Sequence, residues 1–84
     1  MVKEETWSVS LDRANAFFRA QEDVTWMYDG CFLFGSCRIF LTELQPKNMG
    51  IWASKRIRIR LEGEAEDVST IYHRFFIQFL TAGG

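Results

Sequence analysis

The side chains best suited to chemistry are few and scattered. The chain has one histidine, His73, and two cysteines, Cys31 and Cys37. A thiolate nucleophile needs a base within reach, so Cys37 with His73 is the one conceivable catalytic pair. It has no spacing signature behind it, and a lone match of this kind points to ordinary core and surface residues. One imidazole and two thiols fit no zinc spacing either. No glycine-rich phosphate loop and no serine elbow occurs. Glu64 and Glu66 stand at a helix entrance, where the helix dipole accounts for acids. The residues therefore predict no enzyme, no metal and no cofactor.

On one continuous strand Cys31 and Cys37 would lie roughly 20 Å apart, beyond disulfide reach. A tight turn at Gly35-Ser36 would set Cys37 opposite Phe34 and Cys31 nearer Phe40, which favours no bridge either. Free thiols suit a reducing cytoplasm. The N-terminal Met-Val-Lys-Glu-Glu-Thr lacks the apolar stretch of a secretory signal. No apolar run nears the ~20 residues that span a bilayer. A cytoplasmic protein with no membrane contact is expected.

The strongest pattern is Lys55-Arg-Ile-Arg-Ile-Arg-Leu-Glu62. Ile57, Ile59 and Leu61 alternate with Arg56, Arg58 and Arg60, the period of a strand with one buried and one open face. From Cys31 to Leu41 the chain is apolar at both parities, with Phe32, Phe34 and Phe40 on one and Leu33, Ile39 and Leu41 on the other. Pairing these strands predicts an aliphatic core on one sheet face. The other would carry Phe32, Phe34, Arg38, Phe40, Arg56, Arg58 and Arg60. A bulge at Gly35 would swap the faces of everything after it.

Such a face suits three uses. Arginine and phenylalanine both suit an interface, and a two-fold axis would stack two copies of the face as a homodimer. Rings that stack bases beside cations that follow phosphates would suit single-stranded nucleic acid. Against that second use, the chain has no RNA-recognition-motif aromatic signature, and Glu64, Glu66 and Asp67 would repel phosphate. A net charge of −1 and a pI near 5.7 also exclude a generic polyanion binder. An apolar ligand pocket between sheet and helices, with Trp52 at its mouth, is the third. Association with protein, most simply a second copy, is the expectation, with nucleic acid as the alternative.

The elements that must position this face follow from periodicity. Thr6–Leu11 alternates as a strand. A helix capped by Ser10 or Asp12 runs to about Glu22, with Ala14, Phe17, Phe18 and Gln21 on one side. Val24–Tyr28 returns to strand, and Asp29-Gly30 predicts a type I′ hairpin turn. The next strand starts at Cys31 and reaches Leu44, either bent or broken at Gly35-Ser36. Gln45–Ser54 reads as a loop whose apolar tip, Met49, Ile51 and Trp52, is a candidate contact. Near Asp67 a helix opens in which Val68, Ile71, Tyr72, Phe75, Phe76 and Phe79 share a face, with Gly83 as its C-cap. Ile77 falls on the far side. The prediction is one α+β domain over residues 1–84, ordered β-α-β-β-β-α, with a four-stranded, mainly antiparallel sheet and both helices on one face. With 48% hydrophobic residues and eight phenylalanines in so short a chain, part of the apolar surface is expected to lie against another chain.

Overall fold

The computed structural model describes residues 1–49 and 52–82; for 46–49, 52–54 and 81–82 only the backbone is described. The class is α+β, with five strands rather than four. They are β1 (Val2–Trp7), β2 (Thr25–Tyr28), β3 (Cys31–Phe34), β4 (Cys37–Met49) and β5 (Trp52–Glu62). The helices are α1 (Leu11–Ala20) and α2 (Ala65–Ala82). The sheet order is β1-β5-β4-β3-β2, and every neighbouring pair is antiparallel.

The extra strand comes from Gly35-Ser36, which is a turn and not a bulge. Gly35 sits at φ +57° while Ser36 stays at negative φ, the φ pattern of a type II′ hairpin with glycine first. Phe34 therefore faces Cys37, and Phe32 faces Ile39. Phe32 is fully buried, and Phe34 packs on the helix side. Both were expected on the open face; residues directly opposite each other across a hairpin share a face, so the turn moves them inward.

Three further expectations shift. Asp29-Gly30 does make the β2–β3 turn, but only Gly30 has positive φ, so it is not type I′. The first strand is Val2–Trp7, not Thr6–Leu11: its Lys-Glu-Glu run has low strand propensity, and six-residue pairing with β5 overrides it. The supposed loop at 45–54 continues the β4–β5 hairpin, with Lys47 opposite Ser54 and Met49 opposite Trp52. The register slips between Leu44 and Lys47, where Pro46 has no N–H to give the ladder. Ile51, Gly83 and the side chains of Met49 and Trp52 lie outside the described residues.

Both helices cover the face formed by the odd residues of β5. Ile57, Ile59, Leu61, Ile39 and Leu41 supply the aliphatic floor. Phe32 of β3 extends that floor, and Phe18 of α1 with Val68, Ile71, Phe75 and Phe79 of α2 close over it. Phe18 and Phe75 stack with centroids 5.7 Å apart, and Trp7 meets Phe75 edge-on at 5.1 Å. Ser10 caps α1, its Oγ accepting the Arg13 N–H at 3.2 Å.

The start of α2 is tied to the β3–β4 turn. The Glu64 N–H donates to Ser36 Oγ at 3.0 Å. The Ser36 hydroxyl and N–H both donate to Asp67 Oδ2, at 2.7 and 2.9 Å. These bonds, the hydroxyl first, hold the Asp67 carboxyl below its ordinary range. A Cβ on Gly35 would lie 2.7 Å from Asp67 Oδ2. One on Gly63 would lie 2.7 Å from both Cys37 Cα and Ser36 O.

For a chain this size total stability is roughly 4–12 kcal/mol, so Phe75→Ala, costing about 3–5 kcal/mol, should leave a large unfolded fraction in mild urea. Gly35→Ala should cost about 1–2 kcal/mol from backbone strain alone, before any clash with Asp67. Because the Asp67 pKa is depressed on folding, its contribution is present above the unfolded carboxyl pKa and lost as pH falls through the folded one. Urea midpoints measured down the acid limb should therefore fall less steeply in Asp67→Asn than in the parent.

Candidate functional site

Among the described residues no element lies over the face opposite the helices, and its composition can be followed across the strands. One row runs Tyr28, Cys31, Phe40, Arg60, Glu4. The next runs Thr25, Leu33, Arg38, Glu62, Val2. Thr42, Arg58 and Thr6 form a third, and Leu44 stands beside Arg56. The β2–β3–β4 half is thus mainly apolar, and the β5–β1 half is charged. Of the residues the sequence grouped, Phe40, Arg38, Arg56, Arg58 and Arg60 are brought together here. Phe32 and Phe34 are not: Phe32 is core, and Phe34 lies under Arg74, whose guanidinium carbon is 5.1 Å from the ring centroid.

Most of the arginines are already engaged. Glu4 receives Arg58 Nε at 3.2 Å and Arg60 Nη1 at 2.9 Å, while Arg60 Nε meets Glu62 at 2.8 Å. Glu62 and Glu4 together hold the Arg60 guanidinium above its ordinary range. Exposed pairs of this kind add little stability, so the ladder chiefly fixes side-chain positions. Arg56 reaches the Gln45 carbonyl at 3.5 Å, at the register slip beside Pro46. Arg38 has Glu62 as its cross-strand neighbour, yet no carboxylate among the described residues lies within ion-pair distance of it.

The thiol chemistry weighed from sequence meets a physical obstacle. Cys37 is fully buried in the core and His73 is exposed on α2. Burial pushes the Cys37 thiol up to about 11, with the Asp67 charge adding to the rise and the Glu62 backbone opposing it. A nucleophile needs the opposite shift. Among the described residues no three metal-ligating side chains converge, and no helix is long and apolar enough to cross a membrane.

A polar cluster escaped the sequence reading. At the β1–α2 seam, Glu5 Oε1 accepts the Tyr72 hydroxyl at 2.7 Å and the Trp7 indole N–H at 3.0 Å, and Lys3 lies 3.6 Å from Oε2. The Lys3 ammonium also stands 4.3 Å over the Tyr72 ring. Burial pushes the Glu5 carboxyl up, but the Tyr72, Trp7 and Lys3 contacts outweigh it and leave the pKa lowered. Burial, then Glu5, drives the Tyr72 hydroxyl up to about 12. The cluster fastens an otherwise polar edge strand to α2. Its one signal in the sequence is the odd-parity placement of Lys3, Glu5 and Trp7.

Cys37 and Tyr72 both ionise later in the folded chain than in the unfolded one. Their stabilisation is complete below the unfolded thiol pKa near 9 and fades as pH rises toward about 12. Iodoacetamide at neutral pH should therefore leave Cys37 unmodified until urea is added, and absorbance titration should show one tyrosine ionising near 12. Rapid alkylation of native Cys37 would contradict this. No family model matches the sequence, and no curated protein does.

Proposed function

We propose that this chain is a non-enzymatic, cytoplasmic protein-contact domain that pairs with a second copy of itself through the open sheet face. The observation carrying the reading is the division of that face into an apolar half and an ion-paired half. A two-fold axis passing near Phe40 would lay Phe40, Leu33 and Leu44 against their counterparts. The Arg58–Glu4–Arg60–Glu62 ladder would then form the rim, as interfaces with apolar centres and polar margins do. Because those arginines already have carboxylate partners, covering them strands less charge than covering free guanidinium groups. The two free, buried thiols support the reducing compartment.

The same details weaken the nucleic-acid reading. Base stacking needs exposed rings, and of the three phenylalanines only Phe40 remains on the face, half-buried. Glu4 and Glu62 stand among the cations that would have to follow phosphates.

Light scattering at near-physiological salt should give twice the chain mass of 9.8 kDa. Phe40→Asp should return the monomer mass while circular dichroism stays folded. Moderate salt and Arg58→Ala should change the mass little, since the ladder lies at the rim. A monomer at every concentration overturns the proposal. Tight, steeply salt-dependent binding of a labelled single-stranded oligonucleotide, abolished by Arg58→Ala, would replace it with the nucleic-acid reading.

A further inference from the structure

At the β2 margin of the open face, Met27, Tyr28, Cys31, Leu33 and Arg38 line a recess of about 230 Å³. We infer that this recess binds a small apolar carboxylate, with its chain on Met27 and Leu33 and its head on Arg38.

Three observations carry this. The first is the lining: Met27, Leu33 and the buried Cys31 give an apolar floor, and only Tyr28 and Arg38 bring polar atoms of consequence. Ligand sites typically combine an apolar wall with a few convergent polar groups. The second is the state of Arg38. Its cross-strand neighbour Glu62 is held by Arg60 at 2.8 Å, which leaves the Arg38 guanidinium without a carboxylate among the described residues. A planar guanidinium prefers a planar carboxylate, which it can bind through two parallel hydrogen bonds. The third is exposure: Met27 and Tyr28 are 48% and 59% open to solvent. That is unusual for neighbouring large side chains on an edge strand with no charged residue of its own, and the cation stacked on it among the described residues, Arg19, stands over Trp26. The opposite edge, β1, carries Lys3, Glu4 and Glu5, so the apolar edge is a local feature and not a general weakness of the sheet.

Size limits the ligand. If each non-hydrogen atom takes ~30 Å³, as a water does in the liquid, the recess holds roughly eight. A six-carbon carboxylate fits that bound. Tyr28 lines the same recess, and its hydroxyl is the second group there able to donate a hydrogen bond to the carboxylate. The recess is complete within one chain, so this inference does not rest on the homodimer.

The test is a titration of the full chain with sodium hexanoate, followed by the methyl NMR signals of Met27 and Leu33, with 1-hexanol as the uncharged control. Saturable shifts confined to these methyls at millimolar hexanoate are expected. Arg38→Gln should weaken hexanoate binding about tenfold or more and leave hexanol unaffected. Molar mass recorded on the same samples keeps the two readings apart, because saturable binding at either mass supports the recess. Shifts spread over the surface, no saturation, or equal affinity in a folded Arg38→Gln variant would overturn it.

Discussion

The turn at Gly35-Ser36 is the constraint from which the rest of the arrangement follows. A hairpin there reverses the chain after Phe34, so Phe32 and Phe34 share a face with Cys37 and Ile39. A bend in a single strand would have left Phe32 and Phe34 beside the arginines. The turn is held from outside as well as within. Ser36 accepts the N–H of Glu64 and donates to Asp67, the work of a capping box divided between two elements. The same side chains therefore fix the hairpin, start α2 and set the distance between helix and sheet. Gly35 and Gly63 make room for it, since a Cβ at either would meet atoms at 2.7 Å.

With those two rings inside, the core becomes aromatic in its upper layer and mainly aliphatic below. Phe18, Phe75 and Phe79 lie over a floor of Phe32, Ile39, Ile57, Ile59 and Leu61. The high phenylalanine content thus has a conventional use: a short chain has little volume to fill, and large rings fill it with few residues. Part of the apolar surplus read from composition is consumed here. What remains outside is spread over β2 (Trp26, Met27 and Tyr28), the N-terminus (Met1 and Val2) and the outer side of α2 (Ile77 and Leu80), while Leu33, Phe40 and Leu44 of the open face are half-buried.

Sequence patterning was informative where one face of an element is buried and the other is not. The Ile57–Ile59–Leu61 alternation and the Val68–Ile71–Phe75–Phe79 spacing both predicted the buried side correctly. It was uninformative where both parities are apolar. In Cys31–Leu41 nothing in the pattern distinguishes a bend from a turn, and the choice reverses the side of every residue before it. It also failed where tertiary pairing overrides local preference. Val2–Trp7 is too charged to read as a strand, yet β5 on one side and Glu5 with Tyr72 at the helix seam make it one. The 45–54 segment read as a loop because Pro46 and Gly50 punctuate it. A hairpin can absorb a proline at a register slip, and β4 does so between Leu44 and Lys47.

Charge on the open face is best understood by what each guanidinium has already met. Arg58 and Arg60 are committed to Glu4 and Glu62, Arg56 leans on a backbone carbonyl, and Arg38 stands apart beside an apolar recess. A row of cations in the sequence suggested one electrostatic surface. The register divides it into two environments: a balanced ladder over β5 and β1, and, over β4, Arg38 with no carboxylate among the described residues. A ladder whose charges are already matched tolerates being covered, while an unmatched cation beside apolar side chains favours an anion. Self-association and carboxylate binding thus share the apolar half of one face, Leu33 included, and the cross-strand pairing that gives Glu62 to Arg60 is what leaves Arg38 to the second.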